Sequence, residues 1–282
     1  MVAFVLGGGG VLGAHEVGML QALLEAGIRP DLVVGTSVGA LNGVMVAADP
    51  SLAAVERLTR LWGAIGESDV FGGSLLGRLG TLARSRTHLH DNEPLRRLLA
   101  DALPVERIEE LAVPFQCVAA SIEQAAGHWF TSGPIVPAVL ASAAVPGLLP
   151  PVEIDGEHFI DGGIVHSIPV GRAVALGARR VYVLQVGRIE TPLTVPTRPW
   201  EVGLVAFELA RRHRFTEEMA SLPGDVEAHV LPSGDENGVK ADLSQLRYRN
   251  FAGIAERIER AHQASAAYLA TAAQAARAER DG

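Results

Sequence analysis

Within its first 48 residues the chain alternates twice between a short apolar run and a longer apolar stretch, with glycines at the first two junctions. Val2 to Leu6 is an apolar run that ends in Gly7-Gly8-Gly9-Gly10, the pattern of a buried strand entering a glycine loop. From Gly13 to Ala26, Val17, Leu20, Leu23 and Leu24 recur at three- and four-residue steps, and Gly27 follows as a helix C-cap. Asp31 to Val34 reads as a second short strand. Val38 to Ala48 reads as a helix buried on most sides. Strand, helix, strand, helix is the β-α-β pattern of a parallel sheet with helices on its faces, since parallel neighbours need a crossover between them. The expected class is therefore α/β, a three-layer α/β/α arrangement around a mostly parallel central sheet.

The alternation recurs less regularly further on. Pro114 to Ser121, His128 to Thr131, Glu157 to Ile160 and Val181 to Val186 read as strands, and Ser132-Gly133-Pro134 opens a helix that stops before Pro146. Residues 63–90 carry glycines at Gly66, Gly72, Gly73, Gly77 and Gly80, which predicts a flexible or lid-like insertion. Residues 187–199 carry three prolines ahead of a helix near Trp200 to Leu222, and the alanine-rich tail from Ile254 to Arg280 reads as helix.

The chain has 282 residues, which suits either one large α/β domain or two smaller ones. Apolar residues make up 48% and charged residues 20%, enough for a sizeable core and inconsistent with global disorder. A net charge of -8 argues against broad binding to phosphate backbones, so nucleic acid is not an expected partner. The lone cysteine, Cys117, lies in an apolar run and reads as a buried strand thiol. Neither a basic-flanked signal segment nor a run of about 18 apolar residues is present, so the expected setting is soluble and cytoplasmic.

Gly35-Thr36-Ser37-Val38-Gly39 lies between a strand and a helix, the context required of a G-x-S-x-G nucleophile elbow. Gly35 and Gly39 permit a tight turn from which Ser37 can protrude at a helix N-terminus. The same residues also suit a packing turn with an N-capping serine. A serine hydroxyl needs a base to take its proton as it attacks. His166, His213, His229 and His262 sit in stretches that give no reason to choose among them, and Ser37 follows only the second strand, too early for an α/β-hydrolase.

Gly8 to Gly13 satisfies G-x-G-x-x-G between a strand and a helix, with Asp31 near the distance of a ribose-binding acid. Such a loop can cradle a pyrophosphate, which would make the chain a nucleotide-binding oxidoreductase, or its backbone N–H groups can stabilise an oxyanion. The serine elbow separates these two. A dinucleotide site has no use for it, whereas acyl transfer needs donors and nucleophile on neighbouring strand ends.

Gly8-Gly9-Gly10-Val11-Leu12-Gly13, Gly35-Thr36-Ser37-Val38-Gly39 and Asp161-Gly162-Gly163, in that order, resemble the three signature blocks of patatin-like phospholipases. The segment from Ala141 to Pro151 resembles the one this family carries before its aspartate, and the likeness spans roughly residues 3 to 190. The resemblance implies a lipid acyl hydrolase with a Ser-Asp dyad, no catalytic histidine and no metal or organic cofactor. Carried over by position, Ser37 is the nucleophile and Asp161 its proton acceptor. Gly8, Gly9, Gly10 and Gly13 form the oxyanion block, with the donor N–H groups assigned to Gly9 and Gly10. Gly162 and Gly163 turn the chain after the aspartate. A catalytic domain is expected over residues 1–190, with a helical cap at about 63–102, and a helical extension over 191–282 packed on it. A lipid ester is the expected substrate, reached through transient contact with a membrane surface; a lipid-binding protein of the same architecture without turnover is the rival within the family.

The glycine block departs from the family pattern at Leu12, where Lys or Arg is usual. A basic side chain there would favour anionic phosphate head groups, so the departure leaves neutral esters open as substrates. Two further features read more simply. His88-Leu89-His90 has no evident third ligand and predicts no metal site. Arg211-Arg212-His213-Arg214-Phe215 reads as a solvated helix face because Glu208, Glu217 and Glu218 accompany it, with contact to an anionic lipid surface as the alternative.

Overall fold

The computed structural model describes residues 1–67, 88, 90–186, 192–234 and 253–281. Its centre is set by strand β1 (Val2–Leu6), whose side chains alternate between two apolar layers. Phe4 and Leu6 join one buried cluster and Ala3 and Val5 the other, so the sheet is covered on both faces. The first cluster is closed by α1 (Ala14–Glu25), α2 (Val38–Ala48), α3 (Leu52–Glu67), α4 (Glu93–Ala102), α5 (Ile135–Ser142) and the long C-terminal α9 (Ile254–Asp281). The second is closed by α7 (Val170–Ala175) and α8 (Pro199–Ala220). A short α6 (Gly163–His166) completes the α-helices among the described residues. The fold is α/β with three layers, as the alternation requires.

Five strands run parallel in the order β3 (Phe115–Ser121), β2 (Leu32–Thr36), β1, β7 (Arg180–Leu184), β8 (Glu227–Val230). Three more are antiparallel: β4 (Ala126–Phe130) and β6 (Glu157–Asp161) against β3, and β5 (Val152–Ile154) against β6. β4 occupies Cys117 to Ser121 along one edge of β3. β2 and β6 must therefore share the other edge, β2 along Phe115 to Val118 and β6 along Ala119 to Ser121. They approach each other head-on, with Thr36 opposite Val118 and Asp161 opposite Ala119. That register sets the ends of two strands side by side.

Two elements differ from the sequence expectation. The helix α3 reaches Glu67, because Val55, Leu58, Leu61, Trp62 and Ile65 recur at helical spacing and are buried; the glycine at Gly63 is absorbed into it. Of the rest of the lid-like insertion, 68–87 and 89 lie outside the described residues. Beyond residue 191, β8 adds an edge strand to the sheet where only helices were expected. α9 then packs across α1 so closely that a Cβ on Gly18 would meet the Ile258 carbonyl oxygen at 2.0 Å. Cys117 is buried, and burial drives its thiol pKa far up, as an inert strand cysteine requires.

Candidate active site

β2 runs two residues past Val34 and stops at Thr36, so Ser37 is the first residue off the sheet and the N-cap of α2. Its backbone is held at φ 55° and ψ -123°, a region that L-residues rarely enter. The turn closes only because its flanks lack side chains. A Cβ on Gly35 would stand 2.5 Å from the Gly39 carbonyl oxygen, and one on Gly39 would stand 2.4 Å from that of Leu6. Ser142, at the end of α5, stitches the elbow down: its hydroxyl accepts the Ser37 N–H at 2.9 Å and donates to the Val118 carbonyl at 2.6 Å.

The Ser37 hydroxyl donates to Asp161 Oδ2 at 2.6 Å, and both residues are buried. The second carboxylate oxygen, Oδ1, accepts the Gly163 N–H at 2.7 Å. Gly162 passes so close under β3 that a Cβ would stand 2.1 Å from the Val118 carbonyl oxygen. Burial pushes the Asp161 carboxyl up to about 6; the Ser37 hydroxyl, the Gly163 N–H and the Arg211 charge pull the other way without offsetting it. A carboxylate poised there is a far better base than one at its ordinary value of about 3.9.

The glycine loop lies alongside, with Gly8 stacked on the elbow: a Cβ there would contact the Ser37 Cβ at 3.3 Å. The Gly8 N–H donates to the Ser167 carbonyl at 2.8 Å, so within the block Gly8 anchors the loop. Gly9 and Gly10 have N–H groups without an acceptor among the described residues. A Cβ on Gly9 would drive into Val186 Cγ2 at 2.0 Å, and Gly10 takes φ 60° as the loop turns into a short 3-10 segment. Gly13 is a contact point, where a Cβ would meet Val38 Cγ2 at 2.4 Å, and its carbonyl accepts from Asn42 Nδ2 at 2.9 Å.

Gly10 and Ser37 line an apolar cleft of about 490 Å3, its open mouth included, whose walls include Val38, Leu41, Trp62, Ile65, Leu95 and Leu149. The histidines that sequence left open are engaged elsewhere. The His166 ring packs on Trp129, His213 stands 3.3 Å from Glu217, His229 bonds Glu227 and Tyr268, and His262 bonds Glu25.

His213 and Arg214 are exposed, as the reading of their cluster as a solvated face expects, but Arg211 is 8% exposed and lies under the glycine loop. It grips Glu208 through two bonds of 2.9 and 3.0 Å and donates to the Gly8 carbonyl at 2.9 Å. Burial works against the Glu208 charge, but Arg211 and Arg212 outweigh it and hold the carboxyl below its ordinary value. The i, i+3 and i, i+4 spacing of these charges was visible in the sequence; their burial was not. Ser142 was likewise visible only as part of the segment before Pro146.

Three glycine-bounded turns, a buried Ser-Asp hydrogen bond and an apolar cleft thus share one end of the sheet. Residues 4–174, more than half of the chain, match the family model described as "Patatin-like phospholipase". The patatin-like phospholipase domain-containing protein ZK370.4 of Caenorhabditis elegans is 34% identical over 193 residues, 67% of this chain and 14% of that protein. The patatin-like phospholipase domain-containing protein 7 of Rattus norvegicus is 31% identical over 196 residues, 68% of this chain and 14% of that one. The lysophospholipase nte1 of Aspergillus terreus is 32% identical over 200 residues, 67% of this chain and 12% of its own length. The chain therefore matches only about a seventh of these relatives. Among solved structures, VipD from Legionella pneumophila aligns over 93% of this chain and 67% of its own, at 15% identity and a TM-score of 0.43. Family match and relatives agree with the three sequence blocks, and the chain belongs to the patatin-like phospholipase family.

Proposed function

We propose that this chain hydrolyses acyl esters of lipids through Ser37 and Asp161, with the Gly9 and Gly10 N–H groups as the oxyanion hole. The observation that carries the reading is the 2.6 Å hydrogen bond from the Ser37 hydroxyl to the buried Asp161 carboxylate, at the head of an apolar cleft. The acyl chain lies along Val38, Leu41 and Ile65, with its ester carbonyl over Ser37. Ser37 Oγ attacks the carbonyl carbon as its proton passes to Asp161, and the oxyanion takes up the two loop N–H groups. Collapse breaks the ester C–O bond, and the departing alkoxide takes the proton from Asp161. A water molecule then gives its proton to the same carboxylate and attacks the acyl-enzyme, releasing fatty acid and restoring Ser37.

The substrate reading rests on relatives and on chemistry. Lysophospholipase is the name of one relative, and lysophospholipid is accordingly one member of the proposed substrate class. Leu12 brings no charge of its own to the loop to select a phosphate, so neutral glycerides belong to the class as well. The dinucleotide reading is disfavoured by the walls of the cleft: valine, leucine, isoleucine and tryptophan side chains offer nothing to a pyrophosphate. Residues 1–190 serve in this proposal as the catalytic unit and residues 191–282 as an extension that closes its sheet and covers α1.

A panel of lysophospholipid, diacyl phospholipid and neutral glyceride, assayed for released fatty acid, tests the reading. Turnover that vanishes in folded Ser37→Ala supports it. Binding of lipid by the intact protein without any release would favour the non-hydrolytic rival instead. Leu12→Arg is expected to raise the ratio of phospholipid to glyceride turnover, and an unchanged ratio would remove Leu12 from the account.

A further inference from the structure

We propose that Arg211, contributed by helix α8, is a positioning residue for the oxyanion hole. It fixes the Gly8–Gly9 peptide so that the Gly9 N–H, and not the Gly8 carbonyl, faces the reacting ester oxygen. The inference rests on the hydrolase reading above, and it concerns a residue outside the stretch 4–174 matched to the family.

The Gly8 carbonyl and the Gly9 N–H belong to one trans peptide unit and must point in opposite directions. Arg211 Nη1 donates to that carbonyl at 2.9 Å, which directs the Gly9 N–H away from α8. On its other side Gly8 is held through its own N–H by the Ser167 carbonyl at 2.8 Å. The two bonds clamp Gly8 at both of its polar groups. Without the arginine the carbonyl would lose its partner in a buried setting. Glycine on both sides of the peptide leaves little steric resistance to a flip that turns the carbonyl inward.

The guanidinium is itself fixed. Glu208 accepts from Nε at 3.0 Å and from Nη2 at 2.9 Å, and Arg212 Nε donates to the same carboxylate at 2.8 Å. The bidentate pair leaves Nη1 aimed at the loop, a geometry that an ammonium on a flexible stem cannot reproduce. Glu208 balances the Arg211 charge, so the role argued here is steric and directional and does not require the arginine to bind an anionic head group. The chain thus holds its glycine loop by a cation from beneath, while its residue within the loop is Leu12.

The test measures kcat, KM and melting temperature on an ester that the wild type turns over, for Arg211→Met, Arg211→Met/Glu208→Met and Ser37→Ala. Removing both partners leaves neither charge of this pair alone, while Arg212 loses its Glu208 contact, so the melting temperature is read beside kcat. A positioning role predicts a kcat about 100-fold lower in the folded double variant, the order seen on losing one oxyanion donor, with KM within about threefold. His262→Ala, which loses the 2.6 Å bond between α9 and Glu25, is the stability control: its melting temperature falls while kcat holds.

A folded double variant with kcat within about threefold of wild type overturns the assignment of Arg211 while leaving the dyad standing, provided Ser37→Ala is inactive. An active Ser37→Ala overturns both. Should the methionine variants not fold, Arg211→Lys decides the matter. A lysine keeps a cationic donor group but lacks the fork that holds it, so a melting temperature near wild type with kcat at least tenfold down supports positioning, and unimpaired kcat contradicts it.

Discussion

Ser37 and Asp161 lie 124 residues apart in the chain, yet the serine hydroxyl stands 2.6 Å from the carboxylate because two strands meet head-on along one edge of a third. Thr36 pairs with Val118 and Asp161 with Ala119, adjacent positions of β3. The Ser37–Asp161 hydrogen bond is therefore a consequence of register. A slip of one residue in either pairing would turn one of the two side chains to the opposite face of the sheet.

The first prediction follows from the buried carboxylate. Only ionised Asp161 can accept the serine proton, and burial raises its pKa to about 6 against the pull of Ser37, the Gly163 N–H and Arg211. Hydrolytic kcat/KM should rise with pH through an acid limb centred near 6, read from a pH-rate profile. A limb near 4 would mean that the base is an ordinary exposed carboxylate.

The same burial sets a cost in stability. The Asp161 pKa is about 6 in the folded chain and about 3.9 unfolded, so both states hold the proton below pH 4 and no penalty arises. Stability then falls between pH 4 and 6, as the unfolded chain loses its proton first, and above pH 6 the penalty stands at roughly 3 kcal/mol at most. Asp161→Asn should therefore abolish turnover and raise stability by about 1–3 kcal/mol at pH 8, with the gain gone at pH 3.5. Denaturant unfolding at the two pH values measures it.

Gly162→Ala tests how tightly the aspartate turn is packed. Its new Cβ would lie 2.1 Å from the Val118 carbonyl oxygen, a backbone atom that cannot rotate away. A loss of about 2 kcal/mol or more is expected in urea unfolding, with turnover falling alongside as Asp161 is pushed from Ser37.

How much of this was legible beforehand depended on whether a feature was local. The strand-loop-helix units around Gly7–Gly13 and Gly35–Gly39 declare themselves through apolar runs broken by glycine, and the structure places both where the alternation put them. α3 was obscured because Gly63 and the glycines after it outweighed the spacing of Val55, Leu58, Leu61 and Trp62. β8 escaped notice because Glu227-Ala228-His229-Val230 is short and partly polar, as an edge strand is. Arg211 could not be read at all as a support for Gly8, since 203 residues separate them and only the docking of α8 joins them.

The cleft gives a prediction about chain length. Ala143 lines it directly after Ser142, the residue that holds the Ser37 N–H. Ala143→Phe should shift the preferred substrate toward short acyl chains, with kcat/KM for long-chain esters falling about 10- to 100-fold and short-chain esters little affected. A parallel loss across all lengths would place the acyl chain elsewhere.

The most direct measurement is covalent labelling of Ser37 in the folded protein. A fluorophosphonate should form one adduct per chain, mapped by peptide mass spectrometry to the segment containing Ser37. Folded Ser37→Ala should take up none and release no fatty acid from any ester the wild type cleaves. A folded Ser37→Ala that still hydrolyses lipid esters, or an adduct on another residue, would contradict the account.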